Sequence, residues 1–150
     1  MEGSVEGNEI ESAITLLRER MEFLVNTAQS LGKRHADLVD ATNPNKTWEE
    51  KSILQVRARI HQNSLGIEWY EVRWYGSRSA KTRRPKYTYL GKPKDKYIYS
   101  MGKLLKNAQS WEAAIVEEIE TGMSAIRREA TFIGKAIGQL NHITRGAAKE

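Results

Sequence analysis

The 150-residue sequence contains no cysteine, so it can hold neither a disulfide framework nor a thiolate metal site. It has no run of eighteen apolar residues, which a membrane-spanning helix would need. The opening stretch MEGSVEGNEIES is acidic and has no apolar core segment, so no secretory signal is expected there. There is no glycine-rich phosphate loop and no Gly-x-Ser-x-Gly elbow. The three histidines, His35, His61 and His142, lie far apart, and none has an acid at metal-ligand spacing. Glu68 and Glu71 would face opposite sides of a strand and could not share one ion. These absences predict a cytoplasmic protein that is not an enzyme, with no cofactor, no metal and no catalytic residue.

Negative charge is nearly absent from the middle of the chain. Between Arg73 and Lys106 there are eleven Lys and Arg against one acid, Asp95, a net of +10. Residues 1–72 carry a net of −4 and residues 107–150 a net of −1, giving +5 overall. Such asymmetry describes one cationic face on an otherwise acidic protein.

Periodicity divides the chain into three parts. Ile10, Ile14, Leu17, Met21, Leu24, Ala28, Leu31, His35 and Leu38 fall at alternating spacings of four and three, an apolar seam containing one histidine. A helix over 9–40 follows, with Asn8 as its N-cap and Glu11 completing a capping box. Asn43–Pro44 marks its end, and TWEE (47–50) offers a second capping box. Val56, Ala58 and Ile60 then alternate with Arg57, Arg59 and His61, the period of a strand; a helix through 48–61 is the competing assignment. IEWYEVRWY (67–75) is aromatic and β-branched, and KYTYL and KYIYS alternate tyrosines. In the last third, Ile115, Ile119, Ile126, Ala130, Ile133, Ile137 and Leu140 form a second helical stripe that stutters at Gly122 and Met123.

The expected fold is a single α+β domain: long N- and C-terminal amphipathic helices packed around a small central antiparallel sheet of three to four strands. The predicted boundaries are a flexible N-terminus over 1–8 and a domain over 9–143. Within the domain lie a sheet over 54–100 with a basic loop at 76–86, and a helix over 101–143. A flexible tail covers 144–150. The two helical seams meet each other within one chain, or those of a second copy in a homodimer.

The candidate binding residues are Arg73, Arg78, Lys81, Arg83, Arg84, Lys86, Lys92, Lys94 and Lys96. A folded core has no need of so many cations in loops, whereas each one that neutralises a phosphate releases counterions and favours binding. Arginine also offers a planar fork to phosphate or to a guanine edge. An anionic lipid surface fits less well, because the region has strand rather than helix periodicity and no lipidation signal. Of the aromatics, Trp69 and one tyrosine face are expected to be buried, leaving one or two others exposed beside the cations.

The order EWYEVRW (68–74), KYIYSM (96–101), SWE (110–112) and AIRREA (125–130) resembles the MobI-type mobilisation proteins, over roughly residues 54–135. These are auxiliary conjugation proteins of integrative conjugative elements and large plasmids. The resemblance implies a small cytoplasmic factor acting at an origin of transfer and helping a relaxase or other transfer protein engage DNA. No catalytic residues carry over. The reading is therefore a DNA-binding accessory protein. Its rival is a protein–protein adaptor or inhibitor that binds through its long helices while the basic loop docks on an acidic partner.

Overall fold

The computed structural model describes residues 2–149, with side-chain positions over 8–146. Helix α1 (Glu2–Thr42) leads to strands β1 (Leu54–His61), β2 (Ser64–Tyr75) and β3 (Arg84–Tyr89), then helices α2 (Met101–Lys106) and α3 (Ala113–Lys149). The strands form one antiparallel sheet in the order β1-β2-β3. Both long helices lie on the same face of it, α1 over β1 and α3 over β2. The expected α+β class is what forms.

The two seams meet within the chain. Ile14, Met21, Leu24 and Ala28 of α1 are buried together with Val116, Ile119, Met123, Ile126, Ala130, Ile133 and Ile137 of α3. Ion pairs Arg20–Glu129 and Arg34–Glu118 cross between the helices and fix their antiparallel direction. The hydrogen bond from Arg20, more than its charge, holds the Glu129 carboxyl below the usual carboxylate range. No described helix is long and apolar enough to cross a membrane.

The sheet adds Leu54, Ile67 and Trp69 to the same core. Trp69 pairs with Val56 and Ile67 with Ala58 across the β1–β2 ladder, so these four share the helix-facing side. The strand assignment for 54–61 therefore holds, preceded by 3-10 turns at Asn43–Asn45 and Trp48–Glu50. Gln62 and Asn63 close the hairpin, with Gln62 left-handed at φ 55°. The hairpin tip rests on α3 at Gly134, where an added Cβ would lie 2.5 Å from the Asn63 carbonyl oxygen.

Several expectations are corrected. The helix begins before Asn8, so Asn8 lies inside it and caps nothing. Thr47 makes no side-chain cap bond. The C-terminal helix expected over 101–143 is two helices, because Asn107 ends α2 and a turn intervenes before Ala113. KYIYS is not a strand. Its backbone groups are taken by α3 side chains instead: Tyr99 N donates to Glu120 and Arg127 donates to Tyr97 O, both at 2.8 Å. The sheet therefore stops at three strands. The flexibility expected for 1–8 and 144–150 falls in part outside the described residues.

Two buried carboxylates tie these parts together. Glu120 accepts from the Trp69 indole (2.8 Å), from Tyr99 N (2.8 Å) and from both arms of Arg127 (2.8 and 2.9 Å). Arg127 also donates to Ile67 O. Glu112 lies 2.6 Å from His35 Nε2 and accepts from Ser52 Oγ and Gln109 N. Every one of these partners sits on a different segment, so each carboxylate acts as a clamp.

Removing one side of a buried pair leaves the other charged and unpaired, at a cost of about 3–5 kcal/mol. Glu120→Ala should lower the unfolding free energy by an amount in that range, measured by urea denaturation. Glu120→Leu/Arg127→Met should recover part of it but not all, because the Trp69 indole and Tyr99 N stay unpaired. A loss below about 1 kcal/mol for Glu120→Ala would remove the clamp from this account. Gly134→Ala should lower the melting temperature too, since the helix and the Asn63 carbonyl cannot both keep their places.

Candidate nucleic-acid interface

The register of the sheet builds the site. β1 pairs with Ser64–Glu71 of β2, whereas β3 pairs with Tyr70–Tyr75. The C-terminal third of β2 therefore runs past β1 and continues with β3 alone, as a two-stranded ribbon. Where β1 stops, the free edge of β2 opens a groove of about 1000 Å³ bordered by Trp48, Val72, Trp74 and Tyr87.

Cations occupy both sides of this ribbon. Arg73 pairs with Lys86 and Tyr75 with Arg84, so these four share one face, and the Lys86 ammonium lies 5.9 Å from the centre of the Tyr75 ring. On the other face Trp74 pairs with Pro85, and the Arg83 guanidinium lies over the Trp74 ring at 5.1 Å. From Val72 to Leu90 there are six Lys and Arg and no acid. Glu71 lies just outside that span and reaches Arg73 at 3.4 Å, leaving its guanidinium more than half exposed. Cation–ring contacts of this kind hold an arginine upright without neutralising it.

The loop at the ribbon's tip is ordered by its own bonds. Thr82 N donates to Ser77 O and Ser77 N to Thr82 Oγ1, both at 3.0 Å. Two residues there are left-handed, Gly76 at φ 88° and Lys81 at φ 56°. Arg78 and Lys81 lie in it, exposed to water. Six of the nine predicted residues, Arg73, Arg78, Lys81, Arg83, Arg84 and Lys86, are thus gathered on one ribbon.

The other three are elsewhere. Lys92, Lys94 and Lys96 surround a depression formed with Leu65, Glu68 and Lys135, at the opposite end of β2. Seven strand steps separate Glu68 from Tyr75, about 23 Å. Lys92 also donates to the carbonyls of Pro93 and Lys96, so it serves its own turn. The sequence places these lysines beside the loop because few residues intervene; in the fold, the chain has run back along the length of β3.

The face of the sheet away from the helices carries residues that the candidate set omits. Arg57 lies over Tyr70 and Tyr89, at 5.8 and 5.4 Å from their ring centres, and its guanidinium donates to the Tyr89 hydroxyl. Arg59 stands on the same strand two residues on, exposed. The alternation of Arg57 and Arg59 with Val56 and Ala58 was the signal for both. Burial pushes the Tyr70 phenol above its ordinary pKa, and it donates to Gln55. Trp69 is buried as expected, but of the expected tyrosine face only Tyr99 is buried, and four aromatics rather than one or two are exposed: Trp74, Tyr75, Tyr87 and Tyr89. Among the described residues no group of His, Asp and Glu could hold a metal ion.

A family model described as MobI protein matches residues 24–141, a span that takes in the C-terminal part of α1, the whole sheet and most of α3. Nothing among curated proteins or solved structures matches the chain.

The ribbon's shape depends on Gly76, where an added Cβ would meet the Thr82 carbonyl oxygen at 2.3 Å on a backbone that side chains rarely adopt. Gly76→Ala should open the loop, seen as faster amide exchange across 82–88 with little change in the helices. Lys81→Gly should instead keep that protection, because glycine is at ease at positive φ. Unchanged exchange in Gly76→Ala would mean that the loop does not set the ribbon.

Proposed function

This chain belongs to the MobI family, and from that premise we propose that it is a DNA-binding accessory protein acting at an origin of transfer. The family gives it a mobilisation-related role; DNA contact through the β2–β3 ribbon is our reading. One observation carries it. Val72–Leu90 folds into a projecting ribbon with six Lys and Arg and no acid, and among the described residues Arg73 is the one of the six that forms an ion pair, with its strand neighbour Glu71.

The role proposed is binding, with no reaction of its own, and its setting is the cytoplasm, where the DNA lies. A relaxase or another transfer protein is the partner class that a mobilisation factor would serve. Lys92, Lys94 and Lys96 sit far enough away to engage a different stretch of the same backbone. What favours DNA over the adaptor reading is that the helical seams are turned inward against each other. A partner coiled coil would find them already occupied.

Each phosphate neutralised contributes about 0.7–0.9 to the slope of log affinity against log salt. Arg83→Ala/Arg84→Ala should therefore weaken binding and flatten that slope by about 1.4–1.8, measured by fluorescence anisotropy of labelled DNA across a salt series. Lys94→Ala/Lys96→Ala should flatten it less. A wild-type protein that binds no DNA at low salt would end this reading and return attention to a protein partner.

A further inference from the structure

The open face of the sheet is uncovered, and it is not polar. A sheet face exposed to water ordinarily carries alternating polar side chains. Here Tyr87 is 56% exposed, Tyr89 48% and Trp74 49%, and half-buried Tyr70 stands behind them. The Tyr70 ring lies 5.8 Å from Tyr87 and 5.6 Å from Tyr89, tilted by 58° and 49°. The outer rings therefore lean on Tyr70 and keep a face to solvent. Arg57 stands at one flank and Arg83 at the other. The Nε of Arg57 is shielded and has no acceptor, so this guanidinium is only partly satisfied by the protein.

We infer that this face binds single-stranded DNA, with unpaired bases stacking on Tyr87, Tyr89 and Trp74 while Arg57 and Arg83 take the neighbouring phosphates. The inference rests on the DNA-binding reading above and names its substrate. Ring faces are useful to a base only when that base has left its own stack. Tyr87 and Tyr89 are two residues apart on one strand, about 6.7 Å, which is twice the 3.4 Å step between bases along one strand of a duplex. Bases held on both rings are thus pulled away from each other. A single strand can stretch that far, whereas a paired duplex cannot do so without melting. Charge complementarity holds as well, since the rings are interleaved with cations and Val72–Leu90 has no acid. On this face rings stand between the two arginines and offer unpaired bases a stacking surface.

The test compares a fluorescein-labelled 15-nucleotide thymidine strand with a 15-base-pair duplex, at one salt concentration, by anisotropy. The wild-type protein should bind the single strand more tightly. Tyr87→Ala/Tyr89→Ala should weaken single-strand binding about tenfold or more and leave duplex binding unchanged. Tyr87→Phe/Tyr89→Phe should restore it, because the ring remains; both variants are surface changes, and their melting curves check that the fold is intact. If the alanine pair affects both probes equally, or neither, the stacking inference is overturned. DNA binding would still stand in that case, provided Arg83→Ala/Arg84→Ala weakens both probes. If the wild-type protein binds neither probe, both readings fall together.

Discussion

Glu112 and Glu120 are the constraint on which the other parts depend. They lie eight residues apart, Glu112 in the turn just ahead of α3 and Glu120 inside that helix. Buried carboxylates are costly unless every lone pair finds a donor. Here the donors come from the parts that must be assembled. Glu112 draws in His35 of α1, Ser52 ahead of β1 and the turn before α3. Glu120 draws in Trp69 at the centre of β2 and Tyr99 of the segment after β3. A greasy seam alone would let the helices slide; directional bonds set where the sheet sits against them.

That arrangement explains why the sheet has one open face. Both helices are spent on the same side, joined to each other by their seams and to Trp69 by Glu120. No described helix packs on the other side. There Val72 is buried among its neighbours, and the sequence fills the remaining outward positions of β2 and β3 with Tyr70, Trp74, Tyr87 and Tyr89 among arginines. Because β1 is shorter than β2, the same sheet also grows a two-stranded ribbon that carries its cations beyond the end of β1.

The motifs that resemble the MobI-type proteins turn out to be the clamp. EWYEVRW supplies Trp69, KYIYSM supplies Tyr97 and Tyr99, SWE supplies Glu112 and AIRREA supplies Arg127. Those short aromatic and charged strings look like surface chemistry when read along the chain. In the fold these clamp residues are interior, and the resemblance there reports how the domain is held together. Most of the residues proposed to touch DNA lie in the ribbon between the motifs, while Arg73, Trp74 and Lys96 fall at the motifs' exposed ends.

The sequence by itself determined the elements whose cause is periodic or compositional. A seam repeating every three or four residues can only be a buried helical stripe, alternation through 54–61 marks a strand, and a stretch with a net charge of +10 must face water. Tertiary structure decided what depends on partners far away in the chain. KYIYS alternates like a strand, yet α3 side chains take its backbone groups, so it pairs with nothing. Lys92, Lys94 and Lys96 are near the basic loop in sequence but lie beside Glu68, about 23 Å along β2 from Tyr75 where that loop begins, since a strand moves the chain by about 3.3 Å per residue. Arg127, charged and inside a helical stripe, is buried because Glu120, one heptad earlier, meets it with both oxygens. Hydrogen bonds between residues 20 to 80 positions apart leave no period in a sequence, and only the folded chain brings their two ends together.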